Sequence, residues 1–277
     1  MSETEQAMNQ RTGITAANRL PKFSWGVRDV NWRGLSAVAG FFILWELAVR
    51  LQLAGFGQIP SPFEVAQVFF RDYLLDAAYW QSWWASFQRV FYGFAIAQLI
   101  GIPLGLLLGT RKNFSYLFYP VIEILRPIPP LAWVPLSILF WPTSESSIIF
   151  ITFIGAFFII VINVYDAVCG IKKEHLWLAQ SVGAGPVQIF RHIVIPSVIP
   201  SIAVGMTLGI AVTWNVVIAA EMIASDSGLG RLTWEGYVSQ TGPVVVIGMI
   251  SIGIAGYIST LMVDYVEKKM MPWKRVR

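Results

Sequence analysis

The stretch KKEHLWLAQSVGAGPVQIFRHIVIPSVIPS, residues 172–201, is the longest polar interruption between apolar runs in the second half of the chain. Two lysines open it, Gly183, Ala184 and Gly185 break it, and Arg191 and His192 precede a proline-bounded return to apolar sequence. Residues 174–182 can form a short helix with Leu176, Ala179 and Val182 on one face. The glycines end that helix, and Pro186 suits the first turn of a second helix over 186–193. Two short helices joined by a tight glycine turn at a membrane surface make a knob that another protein can grip. An ordinary surface loop between two spans has the same pattern, so pattern alone leaves both readings open.

Residues 177–196 also resemble the EAA signature of ABC importer permeases: three residues, a spacer, a glycine, a nine-residue spacer, then Ile-x-Leu-Pro. Here Trp177, Leu178 and Ala179 are followed by QSV, Gly183, AGPVQIFRH and the ending Ile193-Val194-Ile195-Pro196. Trp177 and Leu178 replace the acid and the first alanine of the family pattern, while the glycine, the spacing and the closing proline are kept. The resemblance implies a coupling helix that docks into a cleft of an ATP-hydrolysing subunit. The residues it implicates are Trp177, Leu178, Ala179, Gly183, Ala184, Gly185, Gln188, Ile193 and Pro196.

Composition bounds the class. Of 277 residues 56% are hydrophobic and 13% charged, against roughly 25% charged in soluble domains, so the chain reads as an all-α integral membrane protein. The single cysteine, Cys169, excludes an internal disulfide and makes a Cys-rich metal site implausible. The two histidines, His175 and His192, both fall in the docking loop, which argues against a His-based metal centre. The net charge of +4 does not point to nucleic acid, because the basic residues are distributed by membrane side.

In chain order, residues 1–34 form a polar tail without the apolar core and cleavage site of a signal peptide. A transmembrane domain follows over 35–265, with the docking loop at 172–196, and residues 266–277 form a basic tail. About six spans of near-bilayer length are expected, at 35–53, 84–109, 116–141, 148–168, 198–223 and 243–265. Residues 63–75 read as an amphipathic helix on the surface, and 224–242 as a polar segment with a short helix at the outer face. With both termini in the cytoplasm, 15 of the 20 basic residues lie on the cytoplasmic side and only Arg50, Arg71 and Arg231 outside. That orientation puts the docking loop in the cytoplasm of a multi-pass inner-membrane protein.

No P-loop, HExxH or GxSxG pattern occurs, so no ATP-hydrolysing or catalytic machinery is legible. Polar groups at membrane depth default to functional candidates: Glu46, Arg89, Glu123, Arg126, Asn215 and Glu221. Glu123 and Arg126 also fit an i, i+3 ion pair that steadies a bent helix. Pro127, Pro129, Pro130 and Pro135 cannot share one regular helix, and broken backbone at this depth is tolerated only in protein or beside a wet cavity. The third span, with Pro129 and Trp133, is therefore the expected pathway wall. Gly101, Gly105 and Gly109, like Gly205 and Gly209, have the spacing of close helix packing. Of the two arginines within spans, Arg89 is preferred as the cation that meets an anion, because Glu123 can neutralise Arg126.

RPIPPLAWVPLSILF at 126–140 and TWNVVIAAEMI at 213–223 are similar to the nitrate, sulfonate, taurine and bicarbonate branch of importer permeases. The resemblance covers about 35–269; FWPTSESS at 140–147 stands where the branch usually has FGIGE. It implies a type I ABC importer permease fold acting as a homodimer with two cytoplasmic P-loop ATPase subunits and an external solute-binding protein. A small anion would pass by alternating access, with ATP and Mg held by the ATPase and no cofactor on this chain. The alternative is a secondary carrier driven by an ion gradient, although no inverted repeat is evident and a carrier needs no coupling loop. A membrane-embedded enzyme would require clustered His or acidic residues at one depth, and none are seen.

Overall fold

The computed structural model describes residues 32–53 and 59–271; of the expected tails, 1–34 and 266–277, residues 1–31 and 272–277 lie outside them. Helix α1, Trp32–Arg50, is about 28 Å long at the usual rise, enough for the first expected span. The chain divides into a unit ending at Trp45, where Phe41, Phe42 and Trp45 cluster, and a second unit, Glu46–Arg277, to which everything below belongs.

Serine and threonine or aspartate caps open several helices of the second unit, each satisfying an amide that the first turn leaves free. Ser61 caps α2, Pro62–Val68, which continues as a wider π turn through Tyr73. Asp76 caps α3, Ala77–Thr110, and α4 follows at Lys112–Leu125. A 3-10 turn, Pro130–Trp133, leads into α5, Val134–Phe140, and Thr143 caps α6, Ser144–Cys169. The remaining helices are α7, Lys173–Ser181; α8, Pro186–Ile189; α9, Ile195–Ala224; α10, Leu229–Val238; and α11, Gly242–Met270. No strand occurs among the described residues.

Among the described residues, four stretches are long and apolar enough to cross a membrane: α3, α6, Pro186–Ala224 and α11. The expected third span is not one helix. Its halves, Lys112–Leu125 and Pro130–Phe140, meet at 90°.

Glycine contacts show that the bent pair is a crossing and not a dip into one face. A Cβ on Gly93, Gly101, Gly105 or Gly109 would run against Thr152, Ile160, Val164 or Val168, at 2.5–3.1 Å. Each partner stands 59 positions further along the chain, so α3 and α6 run parallel, in register, from end to end. Residues 111–143 must therefore carry the chain back across. Helix α9 runs antiparallel to α6, with Gly155 against Val216 and Gly205 against Asn163. The first third of α11 passes the start of α3, where Tyr79 clusters with Ile247 and shares a 2.7 Å hydrogen bond with Ser251. One end of the bundle thus collects the 110–112 connection, the docking loop and the end of α11; the other collects Asp76, Thr143, the end of α9 and α10.

The core is a contiguous apolar cluster of α3, α6 and α9, including Ala97, Ile148, Ile160, Val198 and Val217. Missing side chains on the glycine face let the α3 backbone approach α6, and van der Waals contact at that distance holds the pair where lipid offers no hydrophobic drive.

Candidate functional site

At the docking end the chain leaves α6, forms α7 and turns on Gly183. The Gly183 N–H donates to the Gln180 carbonyl (3.0 Å) and the Ala184 N–H to the Ala179 carbonyl (3.0 Å), with Gly183 at φ +80°. This is the closure that glycine makes at low cost and other residues do not. Pro186 opens α8 as expected, the Gly185 N–H donates to Gln188 Oε1 (2.9 Å), and a π turn over Phe190–Val194 joins α9, whose first turn holds Pro196. Ala179, Gly183, Ala184, Gln188 and Ile193 line one open groove of about 410 Å³, together with Val182, Ile189 and His192. Around it Trp177, Leu178, Val182 and Val187 are 62–79% exposed. Apolar surface of this kind, beyond the spans, marks a contact site.

The opposite end is built around Arg89, and here the expectation of an anion-attracting cation is corrected. Arg89 is 2% exposed and all five of its N–H donors are taken. Nε donates to Glu145 Oε2 (2.8 Å) and Nη2 to Glu145 Oε1 and Ser227 Oγ; Nη1 donates to Glu221 Oε1 (2.7 Å) and the Ser227 carbonyl (2.7 Å). Glu221, wholly buried, also accepts from Ser86 Oγ and the Gly230 N–H (2.9 Å), while Ser86 accepts from the Leu229 N–H. A Cβ on Gly228, at φ +117°, would fall 2.5 Å from the Glu221 carboxyl. The knot fastens α3, α6, α9 and the 225–230 turn together and has no donor left for a ligand.

Sequence reasoning singled out Arg89 and Glu221 separately and missed Glu145, Ser86, Ser227 and the two glycines. The acid in FWPTSESS and the glycines of GLGR were visible signals. Glu46 accepts from Arg50 Nε (2.6 Å) and from the Phe63 N–H (3.2 Å), an end-of-helix arrangement.

Between the two ends lies the α4–α5 bend. Glu123, Arg126 and Pro129 are exposed, and among the described residues Glu123 and Arg126 do not form the expected ion pair. The Trp133 Nε1 is buried without a described partner. Asn215 is exposed on α9 and donates to the Ala211 carbonyl (3.2 Å). A second open groove, of about 540 Å³, lies beyond the spans at the Arg89 end, between α2 and the α10–α11 turn. Gln240 lines it with φ 56°, and there the Arg71 guanidinium holds the Asp72 carboxyl below the usual carboxylate range. No group of His, Cys, Asp and Glu among the described residues is placed to hold a metal.

The family described as the binding-protein-dependent transport system inner membrane component matches residues 101–272. The taurine transport system permease protein of Escherichia coli is 27% identical over 92% of this chain and 94% of its own length. The nitrate import permease protein of Synechocystis is 30% identical over 85% of this chain and 88% of its own. Among solved structures, a chain of the inward-facing MetNI methionine ABC transporter superposes with a TM-score of 0.59 at 20% identity, over 69% of this chain and 94% of that one.

Proposed function

The chain belongs to the family of binding-protein-dependent transport system inner membrane components, ABC importer permeases of the nitrate, taurine and bicarbonate type, and from that premise we propose how it works. It forms the path by which a small anion enters the cell, as a pair of identical subunits. Two P-loop ATPases dock on the 172–196 hairpin, and an external solute-binding protein delivers substrate at the Arg89 end. The nitrate and taurine relatives support an inorganic anion or a sulfonate, and bicarbonate fits the same class.

The observation that carries this reading is the exposed apolar collar of Trp177, Leu178, Val182 and Val187 around the Gly183 groove. A secondary carrier has no use for such a surface beyond its spans. Charge supports the orientation. Arg111, Lys112, Lys172, Lys173, Arg191, Lys268 and Lys269 share the docking end, as the positive-inside rule expects of a cytoplasmic face. Arg71 and Arg231 at the other end are each paired with a carboxylate, Asp72 and Glu235.

The test is Gly183→Trp. Nothing lies within 4 Å of a Cβ at this position, so bulk alone is accommodated, but the left-handed backbone costs a non-glycine residue about 1–3 kcal/mol. The hairpin is expected to re-form differently while the spans insert normally, so that ATP hydrolysis no longer drives uptake. Unchanged ATP-driven uptake by this variant would refute the docking assignment.

A further inference from the structure

We infer that Arg126, at the α4–α5 bend, is the fixed cation that a small anion meets halfway across the membrane. The inference rests on reading the chain as an anion importer, and it places the selective charge at a residue the Arg89 knot leaves free.

Depth comes first. Tyr119 of α4 stacks on Tyr165 of α6 (4.5 Å), and Ile122 packs with Val161. As α4 climbs, its partners on α6 fall in number, so the next turn brings Arg126 level with Phe157. That residue is at the midpoint of the 26-residue α6. Arg126 is therefore at the centre of the bilayer.

An arginine exposed there is costly against hydrocarbon and persists where it faces water or protein. Its guanidinium has no hydrogen-bond or ion-pair partner among the described residues. The backbone makes the same demand. Pro127 and Pro130 stand where the N–H donors for the Glu123 and Arg126 carbonyls would be in a continuous helix, and proline has no N–H to give. Two carbonyls that lose their helical donors and a cation thus belong to one broken turn, and such backbone is tolerated at this depth where it is buried in protein or lines a wet cavity. A small anion that sheds water in a narrow path needs a fixed positive charge to offset the loss. Arg89, with every donor taken, cannot supply it. Glu123 lies one turn nearer the docking end, exposed, and opposes an anion at that level, so the attractive site is confined to the bend.

The experiment uses the assembled transporter in vesicles with Cys169→Ser as background, which leaves this chain without a thiol, and reads labelling on this chain alone. A cysteine is introduced as Pro129→Cys, with Ile128→Cys as a second site should loss of the proline unsettle the turn. Each is treated with methanethiosulfonates bearing either a sulfonate or a trimethylammonium group. The expected result is reaction with both, the anionic reagent being favoured once each rate is divided by that reagent's rate with a free small thiol. That preference should fall about fivefold on Arg126→Gln, the effect of one unit charge on probes of opposite sign about 8 Å away in water. Arg126→Lys should retain it and Glu123→Gln should increase it. No reaction at either position would mean that lipid or the second subunit covers the bend, and a preference indifferent to Arg126→Gln would mean that its charge is not felt there. Either result overturns the inference. Failure of the importer reading is separate: the thiol pattern would stand, yet ATP would drive no accumulation of nitrate, bicarbonate or taurine.

Discussion

Replacing Arg89 with alanine should unfold the Arg89 end of the bundle and not merely slow transport. The guanidinium donates to two carboxylates, a carbonyl and a hydroxyl while 2% exposed. Without it Glu221, with no exposed surface, keeps only the Ser86 hydroxyl and the Gly230 amide as partners. Breaking a buried pair from one side costs about 3–5 kcal/mol, because the remaining charge is left uncompensated. Against a total stability of about 5–15 kcal/mol that is a large share. In detergent the thermal midpoint of Arg89→Ala should fall by several degrees and the yield of monodisperse protein with it. Arg89→Lys should fall between, since one ammonium cannot serve both carboxylates. Glu221→Gln combined with Arg89→Met should recover part of the loss, because the buried charge is removed with its partner. Arg126→Ala, whose side chain touches no described partner, should leave the midpoint unchanged. If Arg89→Ala melted like the wild type and lost only transport, the arginine would belong to the pathway and the saturation argument would be wrong.

Gly105→Leu should destabilise the bundle by at least about 1–3 kcal/mol, since a Cβ there already meets Val164 at 2.7 Å and the Val161 carbonyl at 2.8 Å; a lower thermal midpoint would show it. Gly253→Ala, on α11 with nothing within 4 Å, should raise the midpoint by the equivalent of about 0.5–1 kcal/mol. An impermeant thiol reagent on intact cells should label Ser144→Cys and spare Cys169; the reverse pattern would invert the orientation.

What was legible in the sequence was what depends on neighbours in the chain. The α7–α8 break at Gly183 and Pro186 follows from backbone freedom and a missing N–H, both properties of single residues, and the fracture of the third span follows from its prolines in the same way. The 90° angle of that fracture does not, because it depends on what each half packs against. The GxxxG spacing on α3 announced a close neighbour without saying which, and the parallel run against α6 emerges only from contacts 59 residues apart. Arg89 was misjudged for a related reason. A search for acids three or four positions away finds none, yet its partners stand 56 and 132 positions along the chain. Conversely, Glu123 and Arg126 have the spacing of a helical pair, and the Arg126 N–H still donates to the Ile122 carbonyl (2.9 Å) at the end of α4, yet among the described residues their side chains form no ion pair.

On the reading proposed above, the two arginines at membrane depth divide the work by how their donors are used. A guanidinium with five native hydrogen bonds is held at low energy and can accept a ligand only by surrendering contacts worth several kcal/mol, which a passing ion does not repay. Such a group fixes geometry: it ties Glu145 at the start of α6 to Glu221 at the end of α9, the two helices that the docking hairpin joins at their other ends. A guanidinium with open donors at the bilayer centre is held at high energy until something anionic or aqueous reaches it, and the gain on contact is then available to the ion. The α4–α5 bend, where prolines have removed ladder hydrogen bonds, is also where the backbone can shift at least cost. A charge that must hold an anion briefly and then release it belongs on such a segment, and a charge that must never let go belongs where Arg89 is.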